Sequence, residues 1–258
     1  MVVGIVFTEN GMWAQIVIPT INSARWIRAI VNSYRGAHVS PLFMVDNQST
    51  DETFDVIVRA GARALKVDLD CPRVEALIPK IRHHVRPGWV FRVDDDEFPS
   101  AGLFKWLQGP QPDEKLDSVA IQRRWIRRSE AGRLQHADCR LWIDGTGEVG
   151  GDHQWRVFHT ERVNYLSDIH TPGFMPVAWE ALSDNAFLVH FDWLIRSEAE
   201  RRAKMALYDQ QHPQSGARHW MYYLHERIPP DDVRWVELET HEFNELANEV
   251  APPLCATS

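Results

Sequence analysis

The stretch Trp89 to Phe98, W-V-F-R-V-D-D-D-E-F, constrains this chain more than any other. An apolar run, Trp89, Val90, Phe91 and Val93, reads as a buried strand, and it drives straight into the carboxylates Asp94, Asp95, Asp96 and Glu97. In open α/β sheets the ligand crevice lies beyond the carboxyl ends of the strands. Carboxylate oxygens are also the ligands that hard divalent cations such as Mg2+ and Mn2+ prefer. If the extended conformation persists, Asp94 and Asp96 fall on one face and Asp95 and Glu97 on the other. The plainer alternative is a solvated acidic turn before Pro99-Ser100.

The preceding segments supply the frame. Val2 to Phe7 is a short apolar run suited to a buried parallel strand, with Thr8-Glu9-Asn10-Gly11 as the turn after it. Trp26, Ile27, Ile30, Val31 and Tyr34 recur at helical spacing before Gly36. Leu42 to Val45 is a second strand, running into Asp46-Asn47-Gln48-Ser49-Thr50-Asp51-Glu52, where Ser49 and Glu52 have the spacing of a capping box for a helix ending at Ala60-Gly61. Ala64 to Val67 is a third strand. Pro72 then opens a helix with Val74, Leu77, Ile78, Ile81 and Val85 on one face, stopped by Pro87-Gly88. This βαβαβαβ alternation predicts a parallel sheet covered by helices, which places Asp46–Asp51 and Asp94–Glu97 along one carboxyl rim. The chain shows no G-x-G-x-x-G fingerprint and no G-x-x-x-x-G-K-[ST] loop, which argues against a Rossmann dinucleotide site and a P-loop, so phosphates need another counter-charge. A divalent cation held by the carboxylates supplies one, leaving an Asp to accept hydrogen bonds from a base or ribose.

Composition bounds the partners. The net charge of −8 argues against nucleic acid, although Arg123, Arg124, Arg127 and Arg128 form a local basic stripe. Cys71, Cys139 and Cys255 are far apart and include no C-x-x-C pair, which suits a reducing, cytoplasmic setting. No run has the length of a membrane span, and peripheral membrane contact stays open.

At this point the residues resemble a known family, the glycosyltransferases of the GT-A fold, most closely the inverting family 2 and its relatives with a D-x-D-E-F motif. Asp46-Asn47-Gln48-Ser49-Thr50-Asp51 resembles the family's D-[DN]-x-S-x-D nucleotide loop, and Asp94-Asp95-Asp96-Glu97-Phe98 its metal-binding D-x-D. Arg156-Val157-Phe158 followed by Ile169-His170 is a further match. The resemblance implies a Rossmann-like, mostly parallel sheet covered by helices. It places a glycosyltransferase domain over 1–210, with a nucleotide-sugar half over about 1–100 and an acceptor half over about 101–210; beyond it the pattern turns irregular at His212-Pro213, Pro229-Pro230 and Pro252-Pro253, so 211–258 reads as a C-terminal extension packed on the domain. It implies a nucleotide site drawing on Thr8, Glu9, Asp46, Asp94 and Asp95, with Asp46 at the nucleobase or ribose and Asp94 at the ribose or donor sugar. Asp96 would hold Mn2+ or Mg2+, with Asp94 beside it. The donor is a nucleoside diphosphate sugar, a UDP-sugar first among them, and the acceptor a hydroxyl of a carbohydrate, a lipid-linked sugar or another compound. Two departures stand out: Thr8-Glu9-Asn10 replaces the usual Asn-Glu, and Thr171 follows His170 where relatives often carry Glu.

In the second half, Val119-Ala120-Ile121, Arg140 to Ile143 and Trp155 to Phe158 read as strands separated by glycine-rich turns such as Gly145 to Gly151. Phe187 to Trp193 is another apolar strand ending in groups able to bind metal or phosphate, and His190 is its candidate metal ligand. Ser197 and Glu200 form a second capping box, opening a helix whose Arg201, Arg202 and Lys204 read as a solvated face or, alternatively, as partners of a diphosphate. Inverting transfer needs a base, and it is expected after the middle strands: Asp168 first, then His170 and Asp152. A nucleotidyltransferase, a nucleotide-sugar hydrolase and a noncatalytic nucleotide-sugar-binding protein are the competing readings.

Overall fold

The computed structural model describes residues 11–68, 77–143, 149–166, 173–211, 213, 216, 219–238 and 242–251. Strands β1 (Gln15–Thr20), β2 (Leu42–Asp46), β3 (Arg63–Val67) and β4 (Trp89–Arg92) lie in the order β3-β2-β1-β4, each parallel to its neighbour. Helices α1 (Ile27–Gly36), α2 (Thr53–Arg59) and α3 (Ile78–Ile81) occupy the connections. Ile27, Ile30, Val31 and Tyr34 turn inward from α1, as their spacing predicts, and meet Ile16, Ile18, Phe43 and Phe91 in the main core.

One assignment is corrected. The strand that feeds α1 is Gln15–Thr20, whereas the expected Val2–Phe7 lies outside the described residues, together with Thr8 and Glu9. Pro19 disguises the true strand, because proline within an apolar run normally argues against a central position. Here it stands one residue from the strand's end, opposite Met44. The helix expected from Pro72 also begins partly outside the described residues, and its described part is the short Ile78–Ile81.

The chain continues through β5 (Glu97–Pro99), α4 (Ala101–Leu107), β6 (Ser118–Arg128), β7 (Leu134–Ile143), β8 (Val149–Gly150), β9 (His153–His159), β10 (Asn164–Tyr165), β11 (Phe174–Met175), β12 (Trp179–Ala181) and β13 (Phe187–His190). Strand β9 lies between β4 and β6 and is antiparallel to both, so β6 points the same way as β4. Both β12 and β13 then pair parallel to β6. The central sheet is therefore mostly parallel, with β9 reversed inside it, and is flanked by helices. This is the Rossmann-like α/β arrangement that the resemblance to GT-A proteins implies.

After β13 come α5 (Asp192–Ile195), α6 (Glu198–Gln211), α7 (Trp220–Tyr223), β14 (Val233–Glu237) and α8 (Glu242–Val250). Among the described residues beyond 211, β14 extends the sheet beyond β7, and Phe243, Leu246, Ala247 and Val250 enter the main core. Among the described residues no helix is long and apolar enough to cross a membrane.

The capping boxes differ. At α6 the Ser197 N–H donates to Glu200 Oε2 at 2.7 Å and the Glu200 N–H to Ser197 Oγ at 3.3 Å, as predicted. At α2 the Ser49–Glu52 pair makes no such exchange, and Asp51 Oδ1 instead accepts from the Thr53 N–H at 3.0 Å. Ser49 is occupied elsewhere: its Oγ accepts from the Asn22 N–H.

Candidate functional site

The rim of the sheet is built from three connections. Between β1 and α1, Asn22 adopts the left-handed conformation with φ 53°, and its Oδ1 accepts from the Thr50 N–H at 2.8 Å. Ser23 N–H donates to Thr53 Oγ1 at 2.7 Å, and Ala24 N–H to Asp51 Oδ2 at 3.0 Å. Much of the D-N-Q-S-T-D loop is thus spent on fastening the β1–α1 loop to the start of α2. Asp46 is the exception. It is 1% exposed, Oδ1 accepts from the Gln48 N–H at 2.9 Å, and Oδ2 has no partner among the described residues. Burial pushes its pKa up.

The acidic run does not stay extended. Strand β4 ends at Arg92, and the Glu97 N–H donates to the Asp94 carbonyl at 3.1 Å, closing a turn. This corrects the expected two-face alternation and gives each carboxylate its own surroundings. Asp94 and Glu97 come to the same side and share Arg156, whose Nη2 donates to them at 2.6 and 2.5 Å. Arg92 also donates to Asp94, and Arg123 lies 3.5 Å from Glu97. Burial works to raise the pKa of Asp94, but Arg156 and Arg92 outweigh it and hold the carboxyl far below its ordinary range.

Asp95 points the other way, where it accepts from the Thr20 and Ser23 hydroxyls. Its carbonyl takes the Trp26 indole N–H at 3.0 Å. Burial, reinforced by the Asp96 charge, pushes Asp95 up to about 7. It serves as a pin for the β1–α1 loop.

Asp96 faces β13. The antiparallel β5–β13 pairing sets His190 opposite Glu97, and the Phe191 N–H donates to the Asp96 carbonyl at 2.8 Å. Asp96 Oδ1 then lies 3.1 Å from His190 Nε2, and Oδ2 accepts from Arg196 at 2.8 Å. Asp192, at the first turn of α5, completes a buried group in which Asp96, His190 and Asp192 each offer an atom within 4.8 Å of the others. Burial opposes ionisation of both carboxyls. His190 and Arg196 nevertheless hold Asp96 low, while Lys204 and Arg196 bring Asp192 to about 2. Asp192 Oδ2 and His190 Nδ1 are buried without a partner among the described residues. A donor set of two carboxylates and an imidazole, with a carboxylate oxygen unspent, fits a metal ion.

The other expected residues fall as follows. Asp152 is 1% exposed and accepts from Arg123 Nε at 2.7 Å, Trp125 Nε1 at 2.6 Å and Gln154 Nε2 at 2.6 Å. Burial alone would raise its pKa; these donors, Arg123 first, lower it. The Trp125 ring also meets His190 edge-on at 4.0 Å, so Asp152 orients the indole that walls the imidazole. Asp168 and His170 lie outside the described residues. Asp94, expected beside Asp96 on the cation, is paired with Arg92 and Arg156. Sequence reading overlooked Asp192 and Arg196, although their i,i+4 spacing is a visible acid–base pair. The basic stripe of β6 is consumed internally: besides Arg123, Arg124 donates to the Asp184 carbonyl at 2.8 Å and Arg128 to Asn248 Oδ1 at 2.7 Å. A G-x-G-x-x-G spacing that the sequence reading did not register, Gly145 to Gly150, lies mostly outside the described residues, and its last two residues, Val149-Gly150, form β8.

No protein-family model matches the chain, and no curated protein matches it. Among solved structures it is similar to S. aureus TarS 1-349, at 11% identity and a TM-score of 0.48 over 85% of this chain and 76% of that one. It spans 46% of a longer TarS chain at 12% identity and a TM-score of 0.48. It is also similar to a CMP:2-keto-3-deoxy-manno-octonic acid synthetase complexed with CTP, at 12% identity and a TM-score of 0.38 over 83% of this chain and 85% of that one. These likenesses are of fold alone.

Proposed function

We propose that this chain is a metal-dependent glycosyltransferase that moves a sugar from a nucleoside diphosphate sugar, a UDP-sugar first, to an acceptor hydroxyl with inversion. The observation that carries it is the meeting at one sheet rim of Asp46, with its unspent buried oxygen, and the Asp96–His190–Asp192 group. Asp46 accepts hydrogen bonds from the base or ribose, and Asp94 from the ribose or donor sugar. Asp96, His190 and Asp192 would hold Mn2+ or Mg2+, which when bound neutralises diphosphate charge. Thr8 and Glu9 belong to the same proposal on the family resemblance, and the base candidates Asp168 and His170 on the sequence pattern around them. Asp152 is the weaker base, because its oxygens are already taken by Arg123, Trp125 and Gln154.

A nucleotidyltransferase would call for a glycine-rich, basic phosphate loop after the first strand. The loop after β1, Ile21-Asn22-Ser23-Ala24-Arg25-Trp26, has no glycine and one cation. The deciding experiment is a mass-spectrometric screen of nucleotide sugars for binding and turnover, with and without Mn2+ and with a panel of hydroxyl acceptors. Transfer of a sugar to an acceptor is the expected result. Release of free sugar with every acceptor tried would make the protein a hydrolase, and binding without turnover a noncatalytic nucleotide-sugar-binding protein.

A further inference from the structure

The Asp96–Asp192 pair is already neutralised by the protein itself. Arg196 Nη1 bridges the two, reaching Asp96 Oδ2 at 2.8 Å and bonding Asp192 Oδ1, while Lys204 Nζ reaches Asp192 Oδ1 at 3.0 Å. Two negative groups meet two positive ones. The layering is directional: the side chains of Asp192 and Asp96 are 0% and 7% exposed, whereas those of Arg196 and Lys204 are 18% and 28% exposed. The cations therefore lie on the solvent side of the carboxylates.

Arg196 also has a second hold. Its guanidinium lies 4.7 Å from the centre of the Trp26 ring, and Trp26 is fixed by its bond to the Asp95 carbonyl. The stack does not depend on either carboxylate, so the arm keeps a seat beside the rim when its ion pairs are exchanged. Below it, Asp192 Oδ2 remains unspent and buried.

We propose that Arg196 is the resident counter-ion of the Asp96–Asp192 pair and competes with a divalent cation for it. Arriving diphosphate gives the displaced guanidinium a new partner, so that cation and nucleotide bind together and the cation alone binds weakly. This rests on the reading of the site given above. The physical reason is charge: a divalent ion reaching this neutralised group finds Arg196 and Lys204 already on the carboxylates and gains no net attraction until one of them leaves or an anion arrives. Arg196 is a positioning residue here, acting on metal and nucleotide binding and on no reacting atom.

Mn2+ binding followed by electron paramagnetic resonance, with Mn2+ alone and with Mn2+ plus UDP, tests the idea without an acceptor or turnover. Arg196→Gln should bind Mn2+ alone about tenfold or more tighter than the wild type, since it removes a charge from the cation's own position. Arg196→Lys, which retains the charge, should give a smaller gain. UDP should raise the Mn2+ affinity of the wild type more than that of Arg196→Gln. If Arg196→Gln does not fold, Lys204→Gln, which removes the other cation from Asp192, must shift Mn2+ affinity in the same direction. Equal or weaker Mn2+ binding by the folded variant overturns the role of Arg196 while leaving the metal site standing. Absence of Mn2+ binding in every protein, with UDP or without, overturns the metal reading and this inference together.

Discussion

Asp95 and Asp96 are neighbours in the chain whose surroundings push their pKa values in opposite directions: Asp95, between the Thr20 and Ser23 hydroxyls, is pushed up to about 7, whereas Asp96, between His190 and Arg196, is held well below the carboxylate range. The turn at Asp94–Glu97 creates the contrast by sending adjacent side chains into separate pockets. One fastens the β1–α1 loop and the other faces His190 and Arg196 as a carboxylate.

The contrast gives stability a pH dependence with a definite sign. Because the folded pKa of Asp95 is raised, its contribution is complete below its unfolded value and is lost as pH rises through about 7. Asp94, Asp96 and Asp192 are depressed and act in the opposite sense, losing their contribution only as pH falls below the ordinary carboxylate range. Between these windows Asp95 is isolated. Asp95→Asn keeps an acceptor for both hydroxyls and abolishes the titration. The wild type should therefore lose stability between mildly acid and neutral pH, by up to about 1.4 kcal/mol for each pH unit crossed, and the variant should lose less. Urea unfolding at both pH values measures it, and parallel pH dependence in the two proteins refutes it.

Asp51 joins the first two rim loops, accepting from the Thr53 N–H at one oxygen and the Ala24 N–H at the other. Asp51→Ala frees the Ala24 and Thr53 N–H groups and the Thr53 hydroxyl, the last two on a buried residue, so the loss of stability should be about 1 to 2 kcal/mol. The effect on nucleotide binding should be larger in proportion, because the β1–α1 and β2–α2 loops lose their register. Calorimetry should show a UDP affinity several-fold weaker with metal affinity nearly unchanged. Unaltered UDP binding would make the staple irrelevant to the site.

How much of this was legible beforehand differs by residue. The strand of Trp89–Arg92, the helix carrying Ile27 and Tyr34, and the placing of Asp46 and Asp96 at strand ends follow from local apolar spacing and were readable. So was the place of His190 at the end of an apolar strand, though its contact with Asp96 was not. Asp192, Arg196 and Lys204 were not recognised as a group, because only the β5–β13 pairing and the packing of α6 bring them to Asp96. Gln15–Thr20 was hidden by Pro19. The roles of Asp95 and Asp51 depend on hydroxyl and amide partners in other segments, which periodicity cannot reveal.

His190 separates structural from ligand roles. It is 3% exposed and edge-packed on Trp125, so His190→Ala should cost stability as well as cation affinity. A cavity of that kind is worth a few kcal/mol, and removing a ligand atom should lower Mn2+ affinity by about tenfold or more. Paired thermal melts and Mn2+ titrations distinguish the effects. A lowered melting temperature with an unchanged titration assigns the imidazole to packing alone.

The base is tested by two asparagine variants that differ in what they disturb. Asp152→Asn replaces an acceptor that holds Arg123, Trp125 and Gln154 in a buried cluster, leaving Arg123 with Glu97 at 3.5 Å as its remaining carboxylate partner. Loss of a buried ion-pair partner should destabilise the fold by about 3 kcal/mol. Any fall in transfer rate should therefore follow the fraction folded. Asp168→Asn should do the reverse, keeping stability and donor affinity while the transfer rate falls by roughly two to four powers of ten, the usual contribution of general-base catalysis. The rates need the true acceptor at saturating donor, with urea unfolding of each variant alongside. Near-normal transfer by Asp168→Asn removes that residue from the mechanism and passes the same test to His170→Ala. If neither variant is impaired while folded Asp152→Asn turns over normally, a retaining reaction becomes the better reading, since it requires no such base.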